Sequence, residues 1–207
     1  MTSDPAPPGT PRQEIEIKLP CEDLTRVRER LRALGAQSVS DLHFEANELY
    51  DDSLGRLSRS GSTLRVRRAG GETILTFKGP ARFEEGIKQR VERETRVSDA
   101  EEIEAILEAL GLSPQFRYEK RREEWRLDSA LVALDETPIG NFVEIEADPA
   151  EIRRVVVALD LDFASAIPYS YAKLYERKRK EEPGLPEDMV FPSRDAGRGT
   201  RDSKEST

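Results

Sequence analysis

Two carboxylates and an ammonium group alternate near the start of the chain, at Glu14, Glu16 and Lys18. Successive side chains of a β-strand point to opposite faces, so these three would share one face while Ile15 and Ile17 share the other. Charges on a strand face ordinarily point into water. Here the alternation returns in later segments with charges of both signs, which indicates that the charged faces meet one another and could bind an ionic ligand together.

The later alternating segments supply most of the basic side chains. The basic residues on the matching faces are Lys18, Arg65, Arg67, Lys78, Lys88, Arg90, Lys120 and Arg122. The acidic residues on those faces are Glu14, Glu16, Glu92, Glu94, Asp135, Glu144 and Glu146. A register shift of one residue would turn the pair Arg65 and Arg67, or the pair Lys120 and Arg122, to the outside, so an outward role stays open for each pair.

These residue types suit a phosphate ligand with a metal ion. Arginine offers forked donors that match phosphate oxygens, and lysine offers a mobile point charge. Carboxylates without imidazole or thiolate favour a hard ion such as Mg²⁺ or Mn²⁺, which usually also contacts substrate phosphates. The pattern therefore predicts a polyphosphate bound together with a divalent ion.

Eight predicted strands would position these side chains, at residues 13–19, 40–50, 63–68, 73–78, 88–97, 116–127, 130–135 and 141–146. Apolar residues at helical spacing predict helices after the first, fifth and eighth strands and a fourth helix from residue 168. Eight antiparallel strands can close a small barrel, and the helices need the apolar strand faces to pack on. The predicted fold is α+β: a closed eight-stranded antiparallel β-barrel with flanking helices and a charged lumen.

The ends of the helices carry their own signals. The first helix covers residues 21–36 and stops near Gly35, and Ser98 or Asp99 could cap the second. Pro149 begins the third, which runs to residue 159. In the fourth, we expect Tyr171 and Tyr175 to serve helix packing.

Composition excludes several classes of function for this chain of 207 residues. A net charge of −8 argues against binding nucleic acid through a global positive field. The single cysteine, Cys21, and the single histidine, His43, leave no disulfide framework, no thiolate zinc site and little scope for imidazole catalysis. No apolar run is long enough to span a bilayer, so we expect no membrane partner and a cytoplasmic location. A homodimer stays open.

The two ends of the chain are polar and rich in proline, glycine and serine. We therefore expect disordered tails at residues 1–12 and 181–207, around one domain at residues 13–180.

The stretch Glu14–Lys18 resembles the ExExK signature of the CYTH family, the triphosphate tunnel metalloenzymes. These include class IV adenylate cyclases and thiamine- or tripolyphosphatases. The likeness covers roughly residues 13–176 and continues, in order, through residues 63–67, 75–78, 90–94, 120–122, 134–135, 140–146 and 170–174. It implies an antiparallel eight-stranded tunnel, in agreement with the barrel argued above.

The resemblance also implies roles for single residues. Those that would grip the triphosphate are Arg65, Arg67, Lys78, Lys120 and Arg122, with Lys18 as the signature lysine. Those that would bind the metal ion are Glu14, Glu16, Glu144 and Glu146. We add Lys88, Arg90 and Lys173 to the substrate-binding set, Glu94 and Asp135 to the metal set, and Lys18, Glu16 and Glu92 as catalytic residues.

Some of these roles have alternatives. Glu92 and Glu94 could instead hold basic residues in place by ion pairing. Lys173 lies where the cyclase-like branch more often has Ser-Tyr-Leu-Glu-Leu, so it is either a late basic residue of the kind some triphosphatases use or a solvated helix charge.

The segment from Leu134 to Glu146 looks most similar to the class IV cyclase branch. The predicted function is therefore conversion of ATP to cyclic AMP and pyrophosphate with Mg²⁺ or Mn²⁺. The alternatives are hydrolysis of tripolyphosphate or thiamine triphosphate, and a non-catalytic module that binds polyphosphate.

Overall fold

The structure is a computed structural model, and it describes residues 12–192. The strands in this part of the chain are β1 (Arg12–Cys21), β2 (Gln37–Asp51), β3 (Thr63–Ala69), β4 (Glu72–Lys78), β5 (Arg82–Glu84), β6 (Ile87–Val97), β7 (Ser113–Leu127), β8 (Ala130–Thr137) and β9 (Gly140–Glu146). The helices are α1 (Leu24–Ala33), α2 (Arg56–Arg59), α3 (Ala100–Ala109), α4 (Pro149–Ala158) and α5 (Tyr171–Glu181). A 3-10 turn at Phe163–Ser165 precedes α5.

Eight of the strands form a closed antiparallel ring. The order is β1-β9-β8-β7-β2-β3-β4-β6, and pairing of β6 with β1 closes it. The short strand β5 pairs only with the first residues of β6 and adds no member to the ring. The predicted barrel is confirmed. The segments that link the predicted strands also contain two short elements, β5 and the helix α2.

The strand faces have the predicted phase. Val66 is fully buried outside the barrel, in an apolar cluster with Leu107 of α3, while Arg65 and Arg67 line the lumen. Arg121 is exposed while its neighbours Lys120 and Arg122 line the lumen. The outward alternatives for both pairs are wrong, because the helices cover the apolar faces and leave the charged faces inside.

The main apolar core therefore lies between the barrel wall and the helices. Outward side chains of β1, β8 and β9 pack against α1 and α4, with Ile17, Leu31, Ile145 and Ile152 all at most 1% exposed. Burial of one such side chain stabilises a fold by about 1.5–3 kcal/mol. This outer core fixes the strands that carry the charges.

The ends of the helices follow local signals. Asp99 is the N-cap of α3, because its carboxylate accepts a hydrogen bond from Glu102 N at 3.0 Å. Gly35 follows α1 with φ of +77°, which glycine adopts without strain. Pro149 begins α4 as predicted. Helices α1 and α5 are shorter than predicted, and α5 starts at Tyr171 behind the N-cap Ser170.

The segment after α5 differs from the sequence-based expectation. Residues 182–192, which we call the C-terminal strap, lie along β7: Met189 N donates to Arg117 O at 3.0 Å, and Glu119 N donates to Met189 O at 2.9 Å. Met189 is fully buried. The reason is that β8 pairs only with residues 121–127 of β7, which leaves an edge for the strap. The expected end of the domain at residue 180 is therefore too early.

The remaining expectations for the tails concern residues 1–11 and 193–207, which lie outside the described part of the chain. Within residues 12–192, the helices are too short and too polar for any of them to cross a bilayer.

Candidate active site

A cavity of about 320 Å³ lies inside the barrel. Its basic lining residues are Arg12, Lys18, Arg65, Arg67, Lys78, Lys88, Arg90, Lys120 and Arg122. Its acidic lining residues are Glu14, Glu16, Glu92, Glu94, Glu124, Glu144 and Glu146. The rest of the lining is Leu49, Thr63, Tyr118, Leu131, Ala133, Ser170, Tyr171 and Ala172.

The structure brings nearly all of the predicted site residues to this cavity, with two exceptions. Asp135 lies behind the lining and is fully buried. Lys173 lies on α5 with 51% of its side chain exposed, and its ammonium group pairs with Glu176 at 2.6 Å. Lys173 does not reach the cavity in this structure, because the first turn of α5 turns Tyr171 inward and Lys173 outward, and its contact with the substrate stays a prediction.

Sequence reasoning missed three charged residues of the site. Arg12 extends the alternation of Glu14 and Glu16 by one step along β1, and Glu124 extends that of Lys120 and Arg122 by one step along β7. Glu45 lies in β2, which carries little charge alternation, and it is only 2% exposed. Its carboxylate lies 3.3 Å from Arg67 Nη1 and 3.5 Å from Lys120 Nζ. The signal that could have identified Glu45 is the inward direction of Arg67 and Lys120 on the two strands that pair with β2.

At one side of the cavity, β1 forms ion pairs with its neighbour β6 and with Lys78 of β4. Glu14 accepts from Lys78 Nζ at 2.5 Å and from Arg90 Nε at 2.6 Å, and Glu16 accepts from Lys88 Nζ at 2.6 Å. Burial raises the pKa of Glu14, but Lys78, Arg90 and Lys88 outweigh this and lower it to about 2. Glu14 is therefore ionised, with two cations bound to it.

Glu92 and Glu94 also lie beside basic groups. Glu92 is 3.2 Å from Lys78 Nζ. Glu94 accepts from the Thr76 hydroxyl at 3.0 Å and lies 3.5 Å from Arg67 Nη2. Both carboxylates thus hold cations of the lumen in place in the structure.

At the other side, Asp135 is the centre of a buried network. Arg122 donates to it twice, at 2.7 Å each, Lys120 Nζ lies at 3.2 Å, and the Tyr171 hydroxyl donates at 2.6 Å. The carboxylate is therefore saturated with donors from the protein. In this structure Asp135 holds Arg122 and Lys120 in position and has no oxygen directed into the cavity for a metal ion.

Glu144 sits between Lys18, at 3.2 Å, and Arg122. Burial raises its pKa, but Lys18, Arg122 and Lys120 outweigh burial and hold the pKa well below its ordinary value. Glu144 is therefore ionised in the folded protein.

Glu146 is the exception among the carboxylates. Burial raises its pKa to about 7; Arg12 acts in the opposite direction, while nearby Glu14, Glu92 and Glu16 raise it further. Glu146 is also the direct cross-strand partner of Glu16. Like charges placed opposite one another are destabilising, and Lys88 beside Glu16 and Arg12 beside Glu146 offset this repulsion only in part, because the pKa of Glu146 stays raised; the balance is an excess of negative charge.

The excess of negative charge fits a divalent cation. Carboxylate oxygens are the donors that Mg²⁺ and Mn²⁺ prefer, and Glu16 and Glu146 supply them from paired positions. Among residues 12–192, no three acidic side chains converge on one point as they stand. The carboxylates of the lumen are turned toward lysine and arginine partners instead. Binding of an ion would therefore require carboxylates to leave those partners.

Comparison with known proteins gives one family and a consistent fold. The model of the CYTH domain matches residues 12–166. A protein of Methanocaldococcus jannaschii named "putative adenylate cyclase" is 27% identical over 173 residues, which cover 78% of this chain and 97% of that protein.

Two solved structures share the fold. One, from Vibrio parahaemolyticus, is described as a "putative adenylate cyclase"; its TM-score is 0.70 at 18% identity, covering 81% of this chain and 99% of that one. The other, from Hippeastrum, is described as a "putative adenylyl cyclase" with a dominant triphosphatase activity. Its TM-score is 0.63 at 17% identity, covering 80% and 96%.

Proposed function

The chain belongs to the CYTH domain family, and from this premise we propose that it is a metal-dependent enzyme that hydrolyses a triphosphate. The observation that carries this proposal is the lining of the barrel, where nine basic side chains surround a cavity of about 320 Å³. A chain of phosphates presents anionic oxygens along its whole length. A lumen with cations from five of its eight strands, β1, β3, β4, β6 and β7, is complementary to such a ligand.

The remaining lining favours the phosphates over a nucleobase. The ring of Tyr171 is covered by the Lys18 ammonium, 3.8 Å from its centroid, and Tyr118 is stacked on Phe116 with centroids 6.1 Å apart. Among the residues that line the cavity, these are the two aromatic rings. Both already have partners, so hydrolysis of the terminal phosphoanhydride bond is the reaction that this lining supports best.

The proposal includes a divalent ion, Mg²⁺ or Mn²⁺, held by Glu16 and Glu146 with Glu144 beside them. Such an ion, when bound, polarises phosphoryl oxygens and lowers the pKa of a bound water.

The residues of the chain supply the remaining parts of the reaction. Arg65, Arg67 and Arg122 bind the phosphoryl oxygens and stabilise the negative charge that shifts during in-line displacement. Water attacks the terminal phosphorus while the bond from phosphorus to the bridging oxygen breaks. Glu92, which lines the cavity, accepts the proton of the water, and the Lys18 ammonium neutralises charge on the departing phosphate chain.

A second candidate function is adenylate cyclase activity, favoured by the name of the Methanocaldococcus jannaschii relative. In that reaction the ribose 3′-hydroxyl of ATP attacks the α-phosphorus and expels pyrophosphate, giving cyclic AMP. The nine basic residues that line the cavity, which we call the phosphate clamp, would serve both reactions. The two reactions differ in which phosphorus faces the nucleophile. For either one we expect a cytoplasmic location, which cell fractionation checks.

The deciding experiment is incubation with Mg²⁺ or Mn²⁺ and, in separate tubes, tripolyphosphate, thiamine triphosphate and ATP, with products resolved by phosphorus NMR. Orthophosphate and pyrophosphate from tripolyphosphate would support the proposal. Cyclic AMP with pyrophosphate would establish the cyclase. Binding of tripolyphosphate without any product would overturn both, in favour of the non-catalytic module.

Two neighbouring arginines of β3 provide matched variants. Arg67 lines the cavity, whereas Arg68 points outward and pairs with Glu48 and Glu104. Loss of one donor that stabilises the transition state lowers turnover by about 100-fold, so we expect this for Arg67→Gln. Arg68→Gln should leave kcat/KM within about twofold, since it removes the same charge from the outer face.

A further inference from the structure

Helix α5 brings one aromatic residue, Tyr171, to the end of the cavity. Its side chain is buried, with 6% exposure, yet it lines the lumen beside Ser170. The hydroxyl donates to Asp135 at 2.6 Å, and the ring face lies 3.8 Å from the Lys18 ammonium. One side chain therefore contacts both the buried anchor Asp135 and the signature lysine.

The contact with Asp135 reaches two cations of the clamp. Oδ2 of Asp135 accepts from the Tyr171 hydroxyl, from Arg122 Nη2 at 2.7 Å and from Lys120 Nζ at 3.2 Å. Burial and the carboxylates Asp135 and Glu144 hold the pKa of Tyr171 well above its ordinary value, so the hydroxyl stays protonated and donates. The orientation of this carboxylate depends on the tyrosine, and the positions of Arg122 and Lys120 depend on the carboxylate.

The contact with Lys18 acts through the ring. The ammonium group lies 3.2 Å from the Tyr169 carbonyl oxygen and 3.2 Å from Glu144, with the Tyr171 ring as its third neighbour. A cation over the face of a tyrosine ring is attracted by the ring quadrupole. The ring thus supports one side of the ammonium group without a competing charge.

Tyr171 is itself held firmly. Its ring packs edge-on against Phe142, with centroids 5.4 Å apart, and belongs to a buried cluster with Tyr118, Tyr175 and Met189 of the C-terminal strap. One turn further along α5, the Tyr175 ring contributes to this cluster, whereas its hydroxyl donates to Pro186 O of the strap at 3.0 Å and makes no hydrogen bond with Tyr171. A side chain with this support can fix the groups that it contacts.

We propose that Tyr171 is a positioning residue for the phosphate clamp, with its hydroxyl orienting Arg122 and Lys120 through Asp135 and its ring placing Lys18. The inference rests on the proposed function, because it concerns how the same site meets a triphosphate. It adds a residue of α5, whereas the clamp itself belongs to the barrel strands.

The test compares Tyr171→Phe with Tyr175→Phe, which removes a buried hydroxyl of the same helix that points away from the cavity. In Tyr171→Phe the cations remain but lose their alignment, so kcat for tripolyphosphate should fall about tenfold while KM stays within about twofold. Tyr171→Leu removes the ring as well and should also raise KM, since Lys18 loses its support. Tyr175→Phe should leave both constants within about twofold. Equal losses in Tyr171→Phe and Tyr175→Phe would overturn the inference.

A measurement without substrate separates this inference from the proposed function. The Arg122 Nε–H group donates to Asp135 at 2.7 Å, and its NMR signal is assigned by its loss in Arg122→Lys. We expect this signal to shift and to exchange faster with water in Tyr171→Phe and to stay unchanged in Tyr175→Phe. An unchanged signal in Tyr171→Phe overturns the positioning role. If the wild-type protein turns over no triphosphate, the proposed function fails and this signal alone decides the role of Tyr171.

Discussion

Glu146 makes the stability of the protein depend on pH in a direction opposite to that of most carboxylates. Its pKa rises from 4.5 to about 7 on folding, first through burial and then through nearby Glu14, Glu92 and Glu16, against the effect of Arg12. The folded state therefore binds this proton more tightly than the unfolded state does. By linkage, the free energy of unfolding falls as pH rises from 4.5 to about 7, because the charged form is disfavoured in the folded protein.

The size of the effect follows from the shift. Each unit of pKa corresponds to about 1.4 kcal/mol, so this one group lowers the free energy of unfolding by about 3 kcal/mol across the window. The side chain is 25% exposed, so water screens only part of the interaction. Replacement by glutamine removes the charge and keeps the shape. We therefore expect Glu146→Gln to match the wild-type stability near pH 4 and to exceed it by about 3 kcal/mol at pH 8.

The assay is urea unfolding followed by circular dichroism from pH 4 to pH 8, with EDTA present. The pKa of His43 is also raised, mainly by its hydrogen bond with Glu45, so the stabilising contribution of His43 is also lost as pH rises. This contribution is the same in both proteins and cancels in the difference between their free energies of unfolding. Glu84→Gln, an exposed change on β5, is the matched control and should give no difference. A flat difference between wild type and Glu146→Gln would refute the reasoning. Replacing EDTA with Mg²⁺ at pH 8 should restore stability in the wild type and not in Glu146→Gln.

Three further predictions concern single residues. Met189→Ala should lower the free energy of unfolding in urea by about 2–4 kcal/mol, because this side chain of the strap is fully buried in the cluster with Tyr118 and Tyr175, and a loss below ~1 kcal/mol would contradict that packing. Glu45→Gln removes a buried carboxylate from Arg67 and Lys120 and leaves each with a single acidic partner, Glu94 and Asp135, so it should cost about 3 kcal/mol, and added tripolyphosphate should recover part of the loss in a thermal melt. Lys173→Met should keep kcat/KM within about twofold in the NMR turnover assay, whereas a large loss would place this lysine on the substrate.

The phase of the strands could be predicted from sequence because it depends on local alternation. Within one strand, Glu14 and Glu16 must share a face, and the only further question is which face the helices cover. The apolar residues of the opposite face, such as Ile17, answer it, since they provide the surface on which α1 and α4 pack. The same logic extended by one step would have included Arg12 and Glu124.

Alternation along a strand could not predict whether an inward side chain lines the cavity or lies buried behind the lining. Asp135 has the right face, yet it lies behind the lining because Arg122 and Lys120 of β7 and Tyr171 of α5 close over it. Tyr171 was expected only to pack, since helical spacing carries no information about a hydroxyl that reaches across to β8. The strap also depends on tertiary structure, because Met189 stands in a proline-containing segment without a helical or strand pattern and its partner edge on β7 exists only once β8 ends.

The ion pairs of the lumen bear on which form of the proposed ligand the barrel would bind. A buried charge without a partner costs several kcal/mol, and pairs such as Lys78 with Glu14 and Arg122 with Glu144 avoid that cost. A polyanion that entered alone would take the cations and leave buried carboxylates unpaired. A divalent ion that entered alone would do the reverse. The two together exchange every partner, since phosphate oxygens replace carboxylates on the cations and the ion replaces the cations on the carboxylates. Under the proposed function, the same pairing would therefore favour a metal-bound triphosphate over either component.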